Sequence, residues 1–382
     1  MIELACAEAG RPDGPPLVLL NSIGSSAAMW TPCLAPLAER FRLLLIDHPG
    51  HGGSPSASRP LTVADLGRGV LAVLDRLAVG RADLAGLSLG GMTGIWLAAH
   101  APDRIGRLAL LCTTAAPAHR DAYRDRAAAV RAGGMPAVVE QVLPLWITRR
   151  LADRDPELRD RLAAMLTAVD PESYARCCEL LAELDLRADL ARIAAPTLVL
   201  AGEQDPATPP SHAEAIVAGV AGARLELLSP AAHLATVEQP GRIARLLLEH
   251  FQLPGDTVRR AVLGDAHVDR AAAATDAFSR PFQDFITRYA WGEIWGRPGL
   301  SRRDRSIATL AVLAALGAEH ELALHVRGAR TNGLTDAEIA EVLLHTAVYA
   351  GVPRANRATA IARETLAELD RTASGPTTEE DA

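Results

Sequence analysis

Two successive architectures are predicted for this chain. The first is an open α/β sheet, mostly parallel and carrying a helical lid; the second is a domain of helices alone. Three observations predict them. Short apolar runs alternate with helical patterns as far as about residue 252. The interval between Cys112 and Thr197 has no convincing strand signal, and none returns after Pro254-Gly255. A length of 382 residues suits about two domains of ~100–200 residues, and 49% hydrophobic residues can supply a core for each.

Taken in order, Leu17–Leu20, Leu43–Ile46, Asp83–Ala85, Leu108–Cys112, Thr197–Ala201 and Leu225–Leu228 are short and apolar on both faces. Strands of a helix-covered parallel sheet have that character. The lid spans about 113–195, where Asp121–Asp189 is rich in Ala, Arg, Leu and Glu. A linker is placed at 253–258, between a first domain 1–252 and a helical domain 259–373. The expected helices are Arg259–Arg270, Thr275–Tyr289, Arg302–Leu316, Glu319–Asn332, Asp336–Ala350 and Asn356–Leu369. Ser301 can N-cap the third, and Thr335 with Glu338 forms a capping box on the fifth. The acidic tail 374–382 is expected to be disordered.

Composition narrows the function classes. A net charge of −7 argues against a nucleic-acid or anionic-membrane partner for the whole chain. The longest apolar run, Ile307–Ala318, is too short to span a bilayer. The first residues carry two Glu and no basic cluster, so no secretory signal is expected. Five cysteines at irregular spacing, with no CxxC pair, suit a reducing, cytoplasmic compartment without disulfides or a metal site. Adjacent Cys177 and Cys178 are read as small buried hydrophobes.

The chemistry of the first domain centres on Gly86-Leu87-Ser88-Leu89-Gly90. This G-x-S-x-G follows a strand and precedes a helix, the turn that exposes a nucleophilic Ser Oγ. A serine nucleophile needs a base, and the base an orienting carboxylate. Asp205 and His233 follow successive strands and land on the same sheet edge as Ser88. Glu203 could replace the acid and His250 the base; His100 lies at the wrong end of the elbow helix. The oxyanion hole takes backbone N–H groups from Leu89 and from Ile23, in Leu20-Asn21-Ser22-Ile23-Gly24.

With Asp47-His48-Pro49-Gly50-His51-Gly52-Gly53-Ser54, residues 1 to about 252 resemble the α/β-hydrolases. Asn21-Ser22 stands where many members carry His-Gly, and that form resembles the 3-oxoadipate enol-lactonases. Pro49 in place of the usual Arg is a second departure. The resemblance implies that His48 and His51 brace the site and that Trp146 of the lid lines the substrate pocket. A substrate carboxylate would want a cation, and Arg131, Arg149 and Arg150 are candidates.

In the second domain, Tyr289-Ala290-Trp291-Gly292-Glu293-Ile294-Trp295 precedes Arg305, then Glu321-Leu322-Ala323-Leu324-His325-Val326-Arg327, and later His345. Glu321 and His325 share one helical face. These segments resemble carboxymuconolactone decarboxylase across nearly all of 275–370. Relatives in the wider superfamily use a CxxC dithiol, but this domain has no Cys. Decarboxylation of 4-carboxymuconolactone requires no cofactor. The resemblance implies that His325 donates a proton and Glu321 orients it. Arg305 and Arg327 are candidates to hold carboxylates, with His345 and Trp291 as pocket residues. It also implies self-association through this domain.

The two resemblances name consecutive steps of the β-ketoadipate route of aromatic breakdown. The expectation is a bifunctional enzyme acting on small lactones: an enol-lactonase followed in the chain by a decarboxylase. Its rivals are a serine esterase or lactonase of other specificity fused to an inert helical oligomerisation module, and a hydrolase-fold binding protein.

Overall fold

The computed structural model describes residues 2–373 apart from 13, 252–254 and 277. Part of the expected linker and the whole expected tail, 374–382, lie outside the described residues. The chain forms two compact units, Met1–Phe251 and Gln252–Ala382.

Unit 1 is built on a seven-stranded sheet of order β1-β3-β2-β4-β5-β6-β7. The strands are β1 (Cys6–Gly10), β2 (Pro16–Leu20), β3 (Arg42–Ile46), β4 (Ala82–Leu87), β5 (Ile105–Leu111), β6 (Thr197–Gly202) and β7 (Arg224–Leu228). All neighbours run parallel except β1 against β3. Sequence reasoning missed β1. Its residues Cys-Ala-Glu-Ala-Gly sit half-exposed at the sheet edge and show no continuous apolar run. By contrast, Leu17–Leu20 and Leu108–Leu111 are fully buried, because helices cover both faces of the central strands.

The crossover helix Val63–Arg76 begins at a capping box, Thr62 with Asp65. Its Leu66, Val70, Val73 and Leu74 face the core. Helix Leu89–His100 follows β4 through Ser88. Between β5 and β6 the lid contains five α-helices: Arg120–Gly133, Val139–Trp146, Arg149–Arg154, Pro156–Thr167 and Pro171–Glu183. Thr148, Asp155 and Asp170 cap the last three by accepting from backbone N–H groups. The lid is not a loose flap. Trp146, Leu166, Tyr174, Cys177 and Cys178 are buried in one core with the sheet, and each large side chain there contributes about 1.5–3 kcal/mol of burial.

In unit 2 every described element is helical. Arg302–Leu316, Glu319–Thr331, Asp336–Ala350 and Val352–Ala373 enclose a core that includes Leu310, Leu322, Val326, Ile339, Leu343 and Ile361. The capping boxes at Ser301/Asp304 and Thr335/Glu338 set two of the helix starts. The earlier part differs from expectation. The predicted helix Arg259–Arg270 is two helices, Gly255–Leu263 and Asp265–Ala273, broken where Gly264 takes φ +84°. The predicted Thr275–Tyr289 is a short α-helix, Arg280–Ile286, running into a π-helix, Thr287–Trp295. The last helix is longer than expected because Pro353 sits in its first turn, where a missing N–H costs nothing.

Candidate active sites

Ser88 stands between β4 and its helix at φ 56°, ψ −116°. This left-handed backbone is strained for a non-glycine residue and throws the side chain off the sheet edge. Its neighbours must be glycine. A Cβ on Gly86 would lie 2.2 Å from the Gly90 carbonyl oxygen, and one on Gly90 would lie 2.6 Å from that of Leu20. The turn is fastened by Ser88 N–H donating to Leu111 O (2.9 Å), Thr113 Oγ1 donating to Ser88 O (2.7 Å) and Gly90 N–H donating to Asn21 O (3.1 Å).

Asp205 follows β6 and His233 follows β7. His233 Nδ1 lies 2.8 Å from Asp205 Oδ2, and both side chains are buried. Asp205 Oδ2 also accepts from Thr208 Oγ1 at 2.6 Å, and Oδ1 from the Ala207 and Thr208 N–H groups. Burial alone would raise the Asp205 pKa. The charge and hydrogen bond of His233 and the Thr208 donors outweigh it, so the group sits below the usual carboxylate range. An anion fixed in this way selects the His233 tautomer with a proton on Nδ1 and leaves Nε2 as the base. The alternatives fall elsewhere: Glu203 is exposed, His250 Nε2 meets Leu108 O, and His100 pairs with Asp189.

Asn21–Gly24 is held from below by two histidines. His48 Nε2 donates to Asn21 O at 2.9 Å, and His51 Nε2 accepts from Gly24 N–H at 2.9 Å while its Nδ1 meets Pro49 O. Burial drives both rings neutral, with pKa values down to about 3 for His48 and about 4 for His51. The brace therefore keeps its hydrogen-bond pattern across neutral pH. Ile23 lies in this loop, and Leu89 opens the elbow helix, where backbone N–H groups have no intrahelical acceptor.

The lid closes on the same loops. Trp146 is buried, and a Cβ on Gly24 would meet Trp146, Leu166 and Tyr174 side chains at 2.7–3.2 Å. Leu234 N–H donates to Trp146 O at 2.7 Å, and Glu238 ties Ala232 N–H to Thr148, accepting from the Thr148 N–H at 2.9 Å. Trp146 is thus anchored beside both the oxyanion loop and the His233 loop.

In unit 2, His325 packs against two neighbouring indoles. Its ring centroid is 6.2 Å from Trp291 and 6.0 Å from Trp295, with interplanar angles of 11° and 25°. The i→i+5 turns of the π-helix keep these tryptophans, four apart, on one side, with centroids 5.2 Å apart. Burial lowers the His325 pKa to about 4; Glu321 opposes this and His267 adds to it. Burial thus favours the neutral form of His325 at rest near neutral pH. Glu321 is exposed and acts on it through charge. Arg305 donates to Arg297 O at 3.0 Å, and its Nε is buried with no hydrogen-bond partner among the described residues. Burial and the Arg297 charge lower its pKa. Arg327 is already paired, at 2.6 Å, with Glu368. His345 is exposed, its ring beside Tyr349.

The comparisons with known proteins follow the same division. The model of the alpha/beta hydrolase family matches residues 17–246, and that of the carboxymuconolactone decarboxylase family residues 280–364. A 3-oxoadipate enol-lactonase of Acinetobacter baylyi is 35% identical over 63% of this chain and 89% of its own. A 4-carboxymuconolactone decarboxylase of the same organism is 48% identical over 30% of this chain and 86% of its own. The chain belongs to the alpha/beta hydrolase family, and its second unit to the carboxymuconolactone decarboxylase family. The crystal structure of the enol-lactonase from Burkholderia xenovorans LB400 superimposes with a TM-score of 0.64 at 34% identity, covering 65% of this chain and 96% of that one.

Within the alpha/beta hydrolase unit, the lid arginines named from sequence are exposed. Arg131 bridges Glu172 and Glu179, Arg149 reaches only Asp153 from an exposed position, and Arg150 is exposed beside Thr148 and Pro230. Sequence reasoning passed over Arg126, on the inner side of Arg120–Gly133. The signal for it was available: Tyr123, Arg126 and Val130 recur at helical spacing, so Arg126 shares the helix face that carries Tyr123 and buried Val130.

Proposed function

We propose that the second unit decarboxylates 4-carboxymuconolactone to 3-oxoadipate enol-lactone and that the first hydrolyses this lactone to 3-oxoadipate. The observation that carries the reading is the pairing of the two families in one chain. Loss of CO2 from the one lactone leaves the other, so the two relatives act on successive compounds.

In the first unit, Ser88 Oγ attacks the lactone carbonyl while His233 Nε2 takes its proton. Leu89 and Ile23 N–H groups receive the oxyanion. The ring C–O bond breaks, the leaving enolate oxygen accepts the proton from His233, and the enol becomes a ketone. A water molecule, deprotonated by His233, then releases the acyl group from Ser88. Water is consumed once and the enzyme is restored.

In the second unit the bond to the carboxylate carbon breaks. Its electron pair passes through the ring double bond to the lactone carbonyl oxygen, CO2 leaves, and a proton adds to carbon. His325, neutral at rest, takes up a proton as the anionic substrate arrives and returns it to that carbon. Arg305, whose Nε is buried without a hydrogen-bond partner among the described residues, and the neighbouring Arg297 cradle a carboxylate. The exposed apolar side chains Leu344, Val348, Tyr349 and Val352 support self-association of this unit with further copies of the chain. Buried free thiols, with burial raising Cys33 and Cys178 to about 12, suit a cytoplasmic setting.

Product analysis on 4-carboxymuconolactone tests both steps. The wild type is expected to yield 3-oxoadipate, and Ser88→Ala to stop at the enol-lactone. If neither protein consumes the lactone, the second activity is refuted, and an esterase fused to an inert helical module takes its place.

A further inference from the structure

We propose that Arg126 and Tyr174 of the lid form the carboxylate-recognition site of the hydrolase unit, so that its preferred substrates are lactones or esters bearing a second, free carboxylate. The inference rests on the hydrolase reading above and names the feature of the substrate that the lid selects.

Two buried polar atoms of the lid lack a close partner. Arg126 Nε and the Tyr174 hydroxyl are both buried, and neither makes a hydrogen bond within 3.5 Å among the described residues. The two side chains face each other in a loose contact, the guanidinium donating toward the hydroxyl oxygen, which leaves Arg126 Nε–H and the Tyr174 hydroxyl proton to give elsewhere. A buried donor left unmade costs about 1–3 kcal/mol, so two side by side call for an acceptor that arrives from outside. A carboxylate offers two oxygens to two such donors.

Charge points the same way. The groups that face Arg126 are Tyr174, Cys178 and Tyr123, with the Tyr123 ring centroid 5.4 Å from the guanidinium carbon. Burial raises the pKa of all three, so at neutral pH each is uncharged. Arg126 is thus a desolvated cation with no counter-charge among these neighbours, an arrangement that is expensive unless an anion completes it. Arg131, one turn further along the same helix, shows the contrast, since it already holds two glutamates.

Position links this pair to the catalytic groups. The Tyr174 ring meets the place of a Gly24 Cβ at 3.1 Å, next to the oxyanion loop, and Trp146 meets it at 3.2 Å. On the other side, Tyr123 feels the charge of Asp205. Arg126 therefore lies between Tyr174, whose ring borders the Gly24 turn, and the Tyr123 ring. A bound lactone can set its carbonyl at Ser88 and its pendant carboxylate at Arg126.

The test compares full-length wild type, Arg126→Gln, Arg126→Lys and Tyr174→Phe on 3-oxoadipate enol-lactone and on its methyl ester. Labelling of Ser88 by a fluorophosphonate reports whether each variant keeps a competent triad. The readout is the ratio of kcat/KM for the free acid over the ester. Arg126→Gln is expected to lower that ratio roughly 100-fold, mainly through KM, the loss typical of removing one partner of a buried charged pair. Arg126→Lys should recover part of it, and Tyr174→Phe should lower it about 10-fold. A merely structural Arg126 would depress both substrates alike and leave the ratio unmoved, which overturns the proposal. A wild type that ignores the enol-lactone sinks the hydrolase reading instead. The same ratio, taken on 4-nitrophenyl hemisuccinate over 4-nitrophenyl methyl succinate, then decides the role of Arg126.

Discussion

The two units finish their surfaces differently. Among the described residues of unit 1, Leu227 is the one large hydrophobic side chain that stands well exposed; in unit 2 Phe278, Phe282, Val312, Leu316, Leu344, Val348, Tyr349 and Val352 all do. Unit 1 has a sheet with helices on both faces, and it buries its apolar surface within one chain. Unit 2 has helices with apolar residues on more than one side and a core that covers only one of them. Their histidines differ in the same sense. His233 is clamped by a buried carboxylate at 2.8 Å, whereas His325 is held by stacked indoles and touched only through charge by an exposed Glu321. The difference teaches that the first proposed site is drawn from residues buried within its own unit, while the second lies in a unit that leaves large apolar side chains exposed.

The largest effect that would break this contrast is catalytic. Asp205→Asn leaves His233 with the wrong tautomer and should cost the hydrolase about 10⁴-fold in kcat. Decarboxylation, followed by CO2 release, should not change. His325→Ala should cost the decarboxylase about 10²–10⁴-fold, the usual contribution of one acid–base group, and spare hydrolysis. If either change abolished both reactions, the two sites would not be independent.

A smaller effect sharpens it. If unit 2 completes its surface with further copies, Leu344→Glu with Tyr349→Glu should weaken self-association at least 100-fold, as expected for an aromatic anchor and its neighbour. Sedimentation should show the mass falling to one chain, with hydrolysis retained. A wild type that is already monomeric at micromolar concentration would remove the contrast.

Legibility follows the same line. The parallel strands were readable because burial on both faces leaves uninterrupted apolar runs, as in Leu17–Leu20; edge strand β1, with one face wet, left none. The Ser88 turn was readable because a strained backbone admits only small residues around it. Asp205 and His233 follow once strand order places them on Ser88's edge. Arg126 was not legible, since one lid arginine resembles another until its neighbours are known: Arg131 found glutamates and Arg126 did not. The π-helix was equally hidden, because Thr287–Trp295 carries the same helical periodicity whichever way its carbonyls are paired.

The smallest effect concerns how His325 is held. Packing against Trp291 and Trp295 helps to bury the His325 ring, and burial lowers its pKa to about 4 from the usual 6.5. A folded-state pKa below the unfolded one means that the unfolded chain binds the extra proton between pH 6.5 and 4. His325 therefore contributes stability above about 6.5 that is lost as pH falls toward 4. Trp295→Ala removes part of the cover over the ring, and its pKa should rise toward 6.5, with a correspondingly flatter loss of unit 2 stability on acidification. The ring proton of His325, followed by NMR, gives the value directly. His48, held in unit 1 by the Asn21 carbonyl and driven to about 3 by burial, should not move. A wild-type His325 that titrates near 6.5 would mean that the indoles do not keep water from it, and that a donor charged near neutral pH, as first expected from the sequence, is the better description of unit 2.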